Sequence, residues 1–210
     1  VDYPERTPLL GYYDETNPEV TDWEIKWAVE HGINCFIYCW YRYKNNVGKS
    51  LTRKALRLGH ALHEGLFQAR YQQFIKFAIM FECNSSRWGI VEDEDDFINH
   101  VVPFWIEQYF SKDNYLIYKD VPVVYIYSPN DFIQAFGSEE ATQHALDRCN
   151  LEMQKHGFTG IHFSCMSSGN DAACRAALLE TGEDDLSEVA RLQQCGFHSA
   201  FQYSWPMYAA

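Results

Sequence analysis

One local pattern occurs three times in this chain: a polar helical stretch, a glycine, an apolar residue, two spacers and an apolar run rich in β-formers. A glycine at that point suits a left-handed helix C-cap, which ends a helix and turns the chain back into a buried strand. Three copies therefore predict alternating helices and strands. The glycines are Gly32, Gly157 and Gly196, and the runs they precede are 35–41, 160–165 and 199–203.

Two further apolar runs, 77–81 and 121–127, are short and bounded by turn residues, as fully buried parallel strands are. Five strands separated by roughly forty residues each match βα units with long loops. No G-x-G-x-x-G or Walker loop follows any of them, which disfavours a nucleotide-binding doubly wound sheet. We predict an α/β fold, a (β/α)₈ barrel of the TIM type in one domain over residues 1–210, with an open sheet as the alternative.

Two helices carry recognisable signals. Asn17 is a candidate N-cap and Pro18 occupies the first helical position after it. Residues 96–110 also show helical spacing of apolar side chains, and Pro103 is expected to kink this helix or to mark its start.

The charge balance restricts the partners. The chain has 17 Lys and Arg against 29 Asp and Glu, a net charge of −12, and no basic run of nucleic-acid-binding length. This disfavours nucleic acid and favours a neutral substrate. Aromatic residues make up 16% of the chain, and flat amphipathic rings can stack on sugar faces, although many of them will fill the core.

Compartment and assembly are not readable from this sequence. The seven cysteines show no C-x-x-C spacing and lie mostly in apolar runs, which indicates buried thiols and favours a reducing compartment, though one or two disulfides would also fit. No apolar stretch is long enough to span a membrane, and neither a signal peptide nor an initiator Met opens the chain. Cytoplasmic and secreted or periplasmic locations both stay open, as does the oligomeric state.

An ordered set of motifs runs along nearly the whole chain. Residues 10–14 read LGYYD, 17–20 read NPEV, and 32–41 read GINCFIYCWY. The later motifs, in order, are FAIMF at 77–81, RW at 87–88, the helical segment around Pro103, Tyr115 together with VPVVYIY at 121–127, and GFHSAF at 196–201. In this order the motifs resemble the WbsX-type proteins, a group related to glycoside hydrolase family 99.

The resemblance implies a (β/α)₈ barrel whose sugar site lies at the carboxyl ends of the strands, and action on glycosidic bonds. In the hydrolase branch, two carboxylates near the last strand serve as acid and base, and the 2-hydroxyl of the sugar is the internal nucleophile. This chain departs from the pattern, because it has no Asn-Glu-Trp-x-Glu-like motif and no strand ahead of residues 11–14. The resemblance thus implies a barrel lacking its first and last strands, and it transfers no catalytic pair.

Glu82 is the candidate catalytic residue. It directly follows the 77–81 run, where partial desolvation at a barrel mouth would raise the pKa of its carboxyl. Such a group suits a general acid or an acceptor for sugar hydroxyls. A structural carboxylate paired with Arg87 is the alternative.

The candidate substrate-binding residues follow strand ends or belong to the family-like opening motif. Aromatic rings would stack on sugars and polar groups would bind hydroxyls, with core packing as the alternative for each ring. Asp14 could instead organise the turn before Asn17. The full set is Tyr13, Asp14, Trp40, Tyr41, Asn84, Trp88, Tyr127, Tyr203 and Trp205.

Other chemistries have weak support. His60 and His63 lie three residues apart without a third patterned ligand, and His162 within an apolar run is expected to be a satisfied interior residue. No G-x-S-x-G nucleophile elbow is present. We expect no metal and no cofactor.

The leading hypothesis is a glycoside hydrolase acting on a complex polysaccharide or surface glycan by carboxylate acid–base catalysis. One alternative is a glycosyltransferase-type role in O-antigen or capsular polysaccharide assembly, as many WbsX relatives are labelled. That role needs cations or a metal for a sugar-nucleotide donor, and neither is patterned here. The other alternative is a non-catalytic carbohydrate-binding barrel.

Overall fold

Strands and helices alternate along the chain, as the repeated helix–glycine–strand unit predicts. The computed structural model describes residues 3–166 and 190–203. The strands are β1 (Cys35–Arg42), β2 (Leu56–Arg57), β3 (Lys76–Phe81), β4 (Ile117–Tyr118), β5 (Val121–Ile126), β6 (His162–Met166) and β7 (Ser199–Phe201). The α-helices are α1 (Pro18–Glu30), α2 (Glu94–Asp96), α3 (Val102–Trp105), α4 (Pro129–Phe136) and α5 (Glu139–Lys155), and residues 190–194 are also helical.

The sheet has the order β2-β1-β3-β5-β6-β7, with β4 paired to β5. β1, β3, β5, β6 and β7 run parallel to their neighbours, whereas β2 and β4 are two-residue antiparallel additions. The five predicted strands are therefore confirmed as the parallel core of an α/β fold. Over residues 3–166 and 190–203, β1 and β7 do not pair with each other, so the described strands form an open sheet.

The three glycines end their helices as predicted. Gly32, Gly157 and Gly196 have φ angles of +82°, +87° and +96°, in the left-handed region where a Cβ would be strained. After Gly32, the backbone N–H of Ile33 donates to the carbonyl of Ala28 at 2.8 Å, which closes a Schellman-type C-cap. The same six-residue bond follows the other two glycines.

Local signals also set the helix starts. The side chain of Asn17 accepts a hydrogen bond from the N–H of Glu19 at 3.0 Å, and Pro18 opens α1, as predicted. The second helical segment begins at Glu94, capped by Asp93, and continues through π-helical stretches at Phe97–Val101 and Ile106–Phe110. Pro103 thus does not mark its start. It lies just after the first π stretch, whose wider turn accommodates a residue without an N–H.

The core lies between the sheet and the helices. Phe81 and Phe97 are fully buried, and each ring meets that of the buried Trp105 edge to face at 5.8 Å. Phe132 of α4 packs on both Phe81 and Phe97. Side chains alternate across a strand. The residues between the core positions therefore face the opposite side of the sheet, which is buried along β3, where Ala78 and Met80 are 0% and 4% exposed.

The cysteine prediction holds for the described residues: no disulfide joins any two of the six, and four of them are buried. Cys174 lies outside the described residues. Within residues 3–166 and 190–203, no helix has the length and apolar character needed to cross a bilayer.

Candidate functional site

Three predicted residues, Tyr41, Glu82 and Tyr127, stand side by side at the carboxyl ends of β1, β3 and β5. The residues just before them, Trp40, Phe81 and Ile126, pair with one another across the sheet and are buried under the helices. The next residue on each strand points to the opposite face. Those residues are Tyr41, Glu82 and Tyr127, and the ladder continues to them through Glu82 N–H to Trp40 O and Tyr127 N–H to Phe81 O, both at 3.0 Å.

Glu82 occupies a desolvated position at this edge. Glu82 is 8% exposed, and its Oε2 is buried without a hydrogen-bond partner among the described residues. Burial raises the pKa of the Glu82 carboxyl, the negative charge of Asp131 raises it further, and the N–H of Asn84 and the charge of Arg87 lower it only in part. A carboxyl with a raised pKa holds its proton to higher pH and can act as an acid.

A second carboxylate, Asp131, lies close enough to influence Glu82 and was not predicted. It sits in the first turn of α4, directly after β5, and accepts hydrogen bonds from the hydroxyls of Ser85 at 2.6 Å and Ser128 at 2.7 Å. Two carboxyl groups in different surroundings are the usual requirement for acid–base cleavage of a glycoside. The sequence signal that could have identified Asp131 is its position in the turn that follows the 121–127 run.

Two pairs of aromatic rings lie at the same strand ends. The rings of Tyr127 and Tyr203 are 5.1 Å apart and perpendicular, and those of Tyr41 and Trp88 are 4.9 Å apart. Tyr203 is 59% exposed, so its ring faces solvent. We name Tyr41, Glu82, Trp88, Tyr127, Asp131 and Tyr203 the strand-end cluster.

The pKa shifts of two tyrosines indicate that Tyr41, Tyr127, Tyr203 and Glu82 lie near one another. The pKa of Tyr203 is raised by Cys39 first, then by burial, Tyr127 and Glu82. The pKa of Tyr41 is raised by burial first, then by Cys39, Glu82 and Tyr203. Cys39 was also missed, although it lies two residues before Tyr41 on the same face of β1.

Trp40 does not join the cluster. It is 3% exposed, its indole N–H donates to the hydroxyl of Tyr109 at 3.0 Å, and its ring packs edge to face on Phe81 and Trp105. The neighbouring residue Tyr41 takes the position on the open face that the sequence analysis gave to both residues. The physical reason is the strand pleat, which sends adjacent side chains to opposite faces.

Three other candidates serve turns or lie against α1. The side chain of Asn84 accepts hydrogen bonds from the N–H and hydroxyl of Ser86, and that of Asp14 accepts from the N–H of Thr16 at 2.9 Å. Tyr13 lies beside Glu24 of α1, whose charge is the largest cause of its raised pKa. Trp205 lies outside the described residues.

The histidines are placed differently from one another. His63 is 4% exposed and its Nε2 lies 3.1 Å from the Tyr109 hydroxyl, so it belongs to the core. His162 is partly exposed and hydrogen-bonds Ser199 at 2.8 Å. Across the described parts of the chain, no three His, Cys, Asp or Glu side chains converge as metal ligands would.

No protein-family model and no curated protein sequence matches this chain. It is similar in structure to the GH99 endo-α-mannosidase from Bacteroides thetaiotaomicron, both alone and in complex with bis-tris-propane. Both structures have a TM-score of 0.56 and 13% sequence identity, and both similarities cover 94% of this chain. They cover 47% of the enzyme chain in the structure without ligand and 50% in the complex. A glycoside hydrolase-like protein has a TM-score of 0.54 at 16% identity, over 77% of this chain and 47% of its own.

These similarities concern the fold. They agree with the predicted α/β barrel fold, because the GH99 structures are (β/α)₈ barrels and the open parallel sheet described here corresponds to part of one. The chain spans about half the length of these structures. They lend no support to the WbsX-type or glycosyltransferase predictions.

Proposed function

We propose that this chain provides the strand-end sugar site of a glycoside hydrolase acting on a complex polysaccharide or surface glycan. The observation that carries the proposal is Glu82, a buried carboxyl with a raised pKa at the carboxyl ends of parallel strands, near Tyr41 and Tyr203. One of its oxygens has no hydrogen-bond partner within residues 3–166 and 190–203. Ligands of parallel α/β folds bind at this edge.

In this proposal Glu82 is the general acid. Its proton passes to the glycosidic oxygen as the bond between that oxygen and the anomeric carbon breaks, so the leaving sugar departs as a neutral alcohol. Asp131 is the proposed general base: it accepts a proton from the water molecule whose oxygen forms the new bond to the anomeric carbon, so that both products are free sugars. Its negative charge already favours the protonated form of Glu82 before substrate binds.

The rings of the cluster would position the substrate. Tyr203, 59% exposed, offers an apolar face to the C–H groups of a sugar ring, whereas the ring of Trp88 packs against Tyr41 and Arg57 and supports the cluster from its side. The Tyr127 hydroxyl can donate to or accept from a sugar hydroxyl. The fold similarity to endo-α-mannosidases supports α-mannosides as the first substrates to try.

The test is hydrolysis of an α-mannan oligosaccharide without any sugar-nucleotide donor, followed by product analysis. We expect shorter oligosaccharides from the parent chain and, in Glu82→Gln, a loss of turnover of about 100-fold or more with binding retained. Glu64→Gln, at an exposed position, is the matched control and should turn over normally.

Unchanged turnover in Glu82→Gln would remove Glu82 from the mechanism. Binding without any turnover by the parent chain, across a panel of neutral glycans, would favour the non-catalytic carbohydrate-binding alternative. Turnover that requires an added sugar nucleotide would favour the transferase alternative.

A further inference from the structure

A cleft of about 590 Å³ lies on the outer wall of the fold, between the first half of α1 and residues 68–71. None of its lining residues belongs to the strand-end cluster. The buried face of α1 consists of Thr21, Ile25 and Ala28, so the cleft occupies the face of this helix that turns away from the core.

Two large rings border the cleft and remain exposed. Trp23 is 48% exposed and Tyr71 is 40% exposed. Trp23 is not part of the core; its ring lies 5.8 Å from the ring of Trp27 and 5.9 Å from the ammonium of Lys26, both on α1. Two exposed rings that border one cleft present apolar surface whose burial by a ligand would be favourable.

The two walls are fixed to each other. The backbone N–H of Tyr71 donates to the carboxylate of Asp22 at 2.9 Å, which joins the loop to the middle of α1. Trp23 follows Asp22 directly on the helix. The two rings are therefore held on a preformed frame, which limits the conformational entropy lost when a ligand binds.

The polar lining is balanced in charge. Glu19 and Asp22 contribute two carboxylates, and Lys26 and Arg70 contribute two cations. A cleft without net charge favours a neutral ligand over a phosphorylated or cationic one. Rings beside hydrogen-bonding acceptors and donors fit a sugar, which presents apolar C–H faces and hydroxyl groups together.

We propose that this cleft is a second carbohydrate-binding site, which holds a neutral polysaccharide on the outer wall of the fold while the strand-end cluster acts on the chain. That the ligand is the same glycan rests on the proposed function. Binding in the cleft itself requires neither Glu82 nor turnover.

The test uses the full 210-residue chain in affinity electrophoresis through gels containing soluble α-mannan, with a neutral β-glucan as a second probe. We expect Trp23→Ala and Tyr71→Ala each to weaken retention by α-mannan about 10-fold, which corresponds to about 1.4 kcal/mol. Tyr118→Ala removes an equally exposed ring outside the cleft and should be retained like the parent chain. Cleavage of a short α-mannan oligosaccharide should be the same in Trp23→Ala and the parent.

Wild-type retention of Trp23→Ala on both polysaccharides would overturn the proposal. So would a Trp23→Ala chain that changes only its own self-association in size-exclusion chromatography, because the rings would then cover a protein contact. Failure of the proposed function is a separate outcome. If no oligosaccharide is hydrolysed but retention still depends on Trp23, the cleft stands and the hydrolase proposal falls.

Discussion

Arg42 at the end of β1 and Asp96 in α2 form an ion pair through two hydrogen bonds of 2.6 and 2.8 Å, with side chains 0% and 2% exposed. Arg42 also donates to the carbonyl oxygens of Ile90 and Asn46. The pair therefore fixes the segments that follow β1 and β3 to each other. Tyr41 of the strand-end cluster directly precedes Arg42.

Breaking this pair should strongly destabilise the fold. Asp96→Leu leaves the guanidinium of Arg42 buried without its counter-charge, and we expect a loss of about 3–5 kcal/mol in the free energy of unfolding. The double variant Arg42→Met with Asp96→Leu removes both charges and should be more stable than either single variant. Urea denaturation of the three variants measures this. A double variant as unstable as the sum of the two single losses would contradict it.

Acid should weaken the fold through His63. Burial, with added repulsion from Arg53 and Lys112, lowers the pKa of His63 to about 4. An unfolded histidine titrates near 6.5, so the stabilisation is present above that value and is lost as the pH falls from about 6.5 to 4. The full effect is on the order of 3 kcal/mol.

His63→Gln removes this titration. We expect the difference in unfolding free energy between parent and variant to shrink as the pH falls from 7 to 4, while other titrating groups cancel in the subtraction. Urea curves at several pH values measure it. Parallel pH dependences for the two proteins would show that His63 does not titrate with a lowered pKa.

Glu82 should reduce stability at neutral pH. Because the pKa of Glu82 is higher in the folded protein than in the unfolded chain, its carboxyl stabilises the fold fully only below the unfolded-state pKa, about 4.3. That stabilisation is lost as the pH rises through the folded-state pKa. Glu82→Gln should thus be at least as stable as the parent at pH 7, with the advantage vanishing below about pH 4. Thermal unfolding of this variant and of Glu64→Gln tests the point. A Glu82→Gln protein less stable than the parent at pH 7 would mean that the carboxylate is well paired.

The hydroxyl of Tyr127 should contribute to sugar binding without contributing to the fold. Tyr127→Phe keeps the ring contact with Tyr203 and removes one hydrogen-bonding group, so we expect affinity for an α-mannan oligosaccharide to fall about 5-fold. Tyr12→Phe, at a 73% exposed position, is the control. Isothermal titration calorimetry gives both affinities. Equal affinity in Tyr127→Phe and the parent would place the ligand elsewhere.

The sequence was most informative where structure is decided within a few residues. The caps at Asn17, Gly32 and Gly157 depend on side-chain chemistry and on φ, both of which are local. Trp40 and Tyr41 show where local reading fails. Both end the same apolar run, and only the packing of the helices decides which of the two faces the core.

Asp131 and Cys39 show the second kind of failure. Asp131 is 49 residues from Glu82 along the chain, and the two approach only because β5 pairs with β3 in the sheet. Cys39 was read as part of an apolar run, and its place beside Tyr41 and Tyr203 depends on strand register. Neither relationship follows from composition or spacing alone.

The most direct test of the account is the titration of the Glu82 carboxyl carbon by NMR, with and without an α-mannan oligosaccharide. We expect the pKa of Glu82 to lie above the ordinary value of about 4.3 and the chemical shift of its carboxyl carbon to respond to the sugar. A Glu82 that titrates at the ordinary value, with a chemical shift unchanged at saturating oligosaccharide, would contradict the assignment of this face as the sugar site.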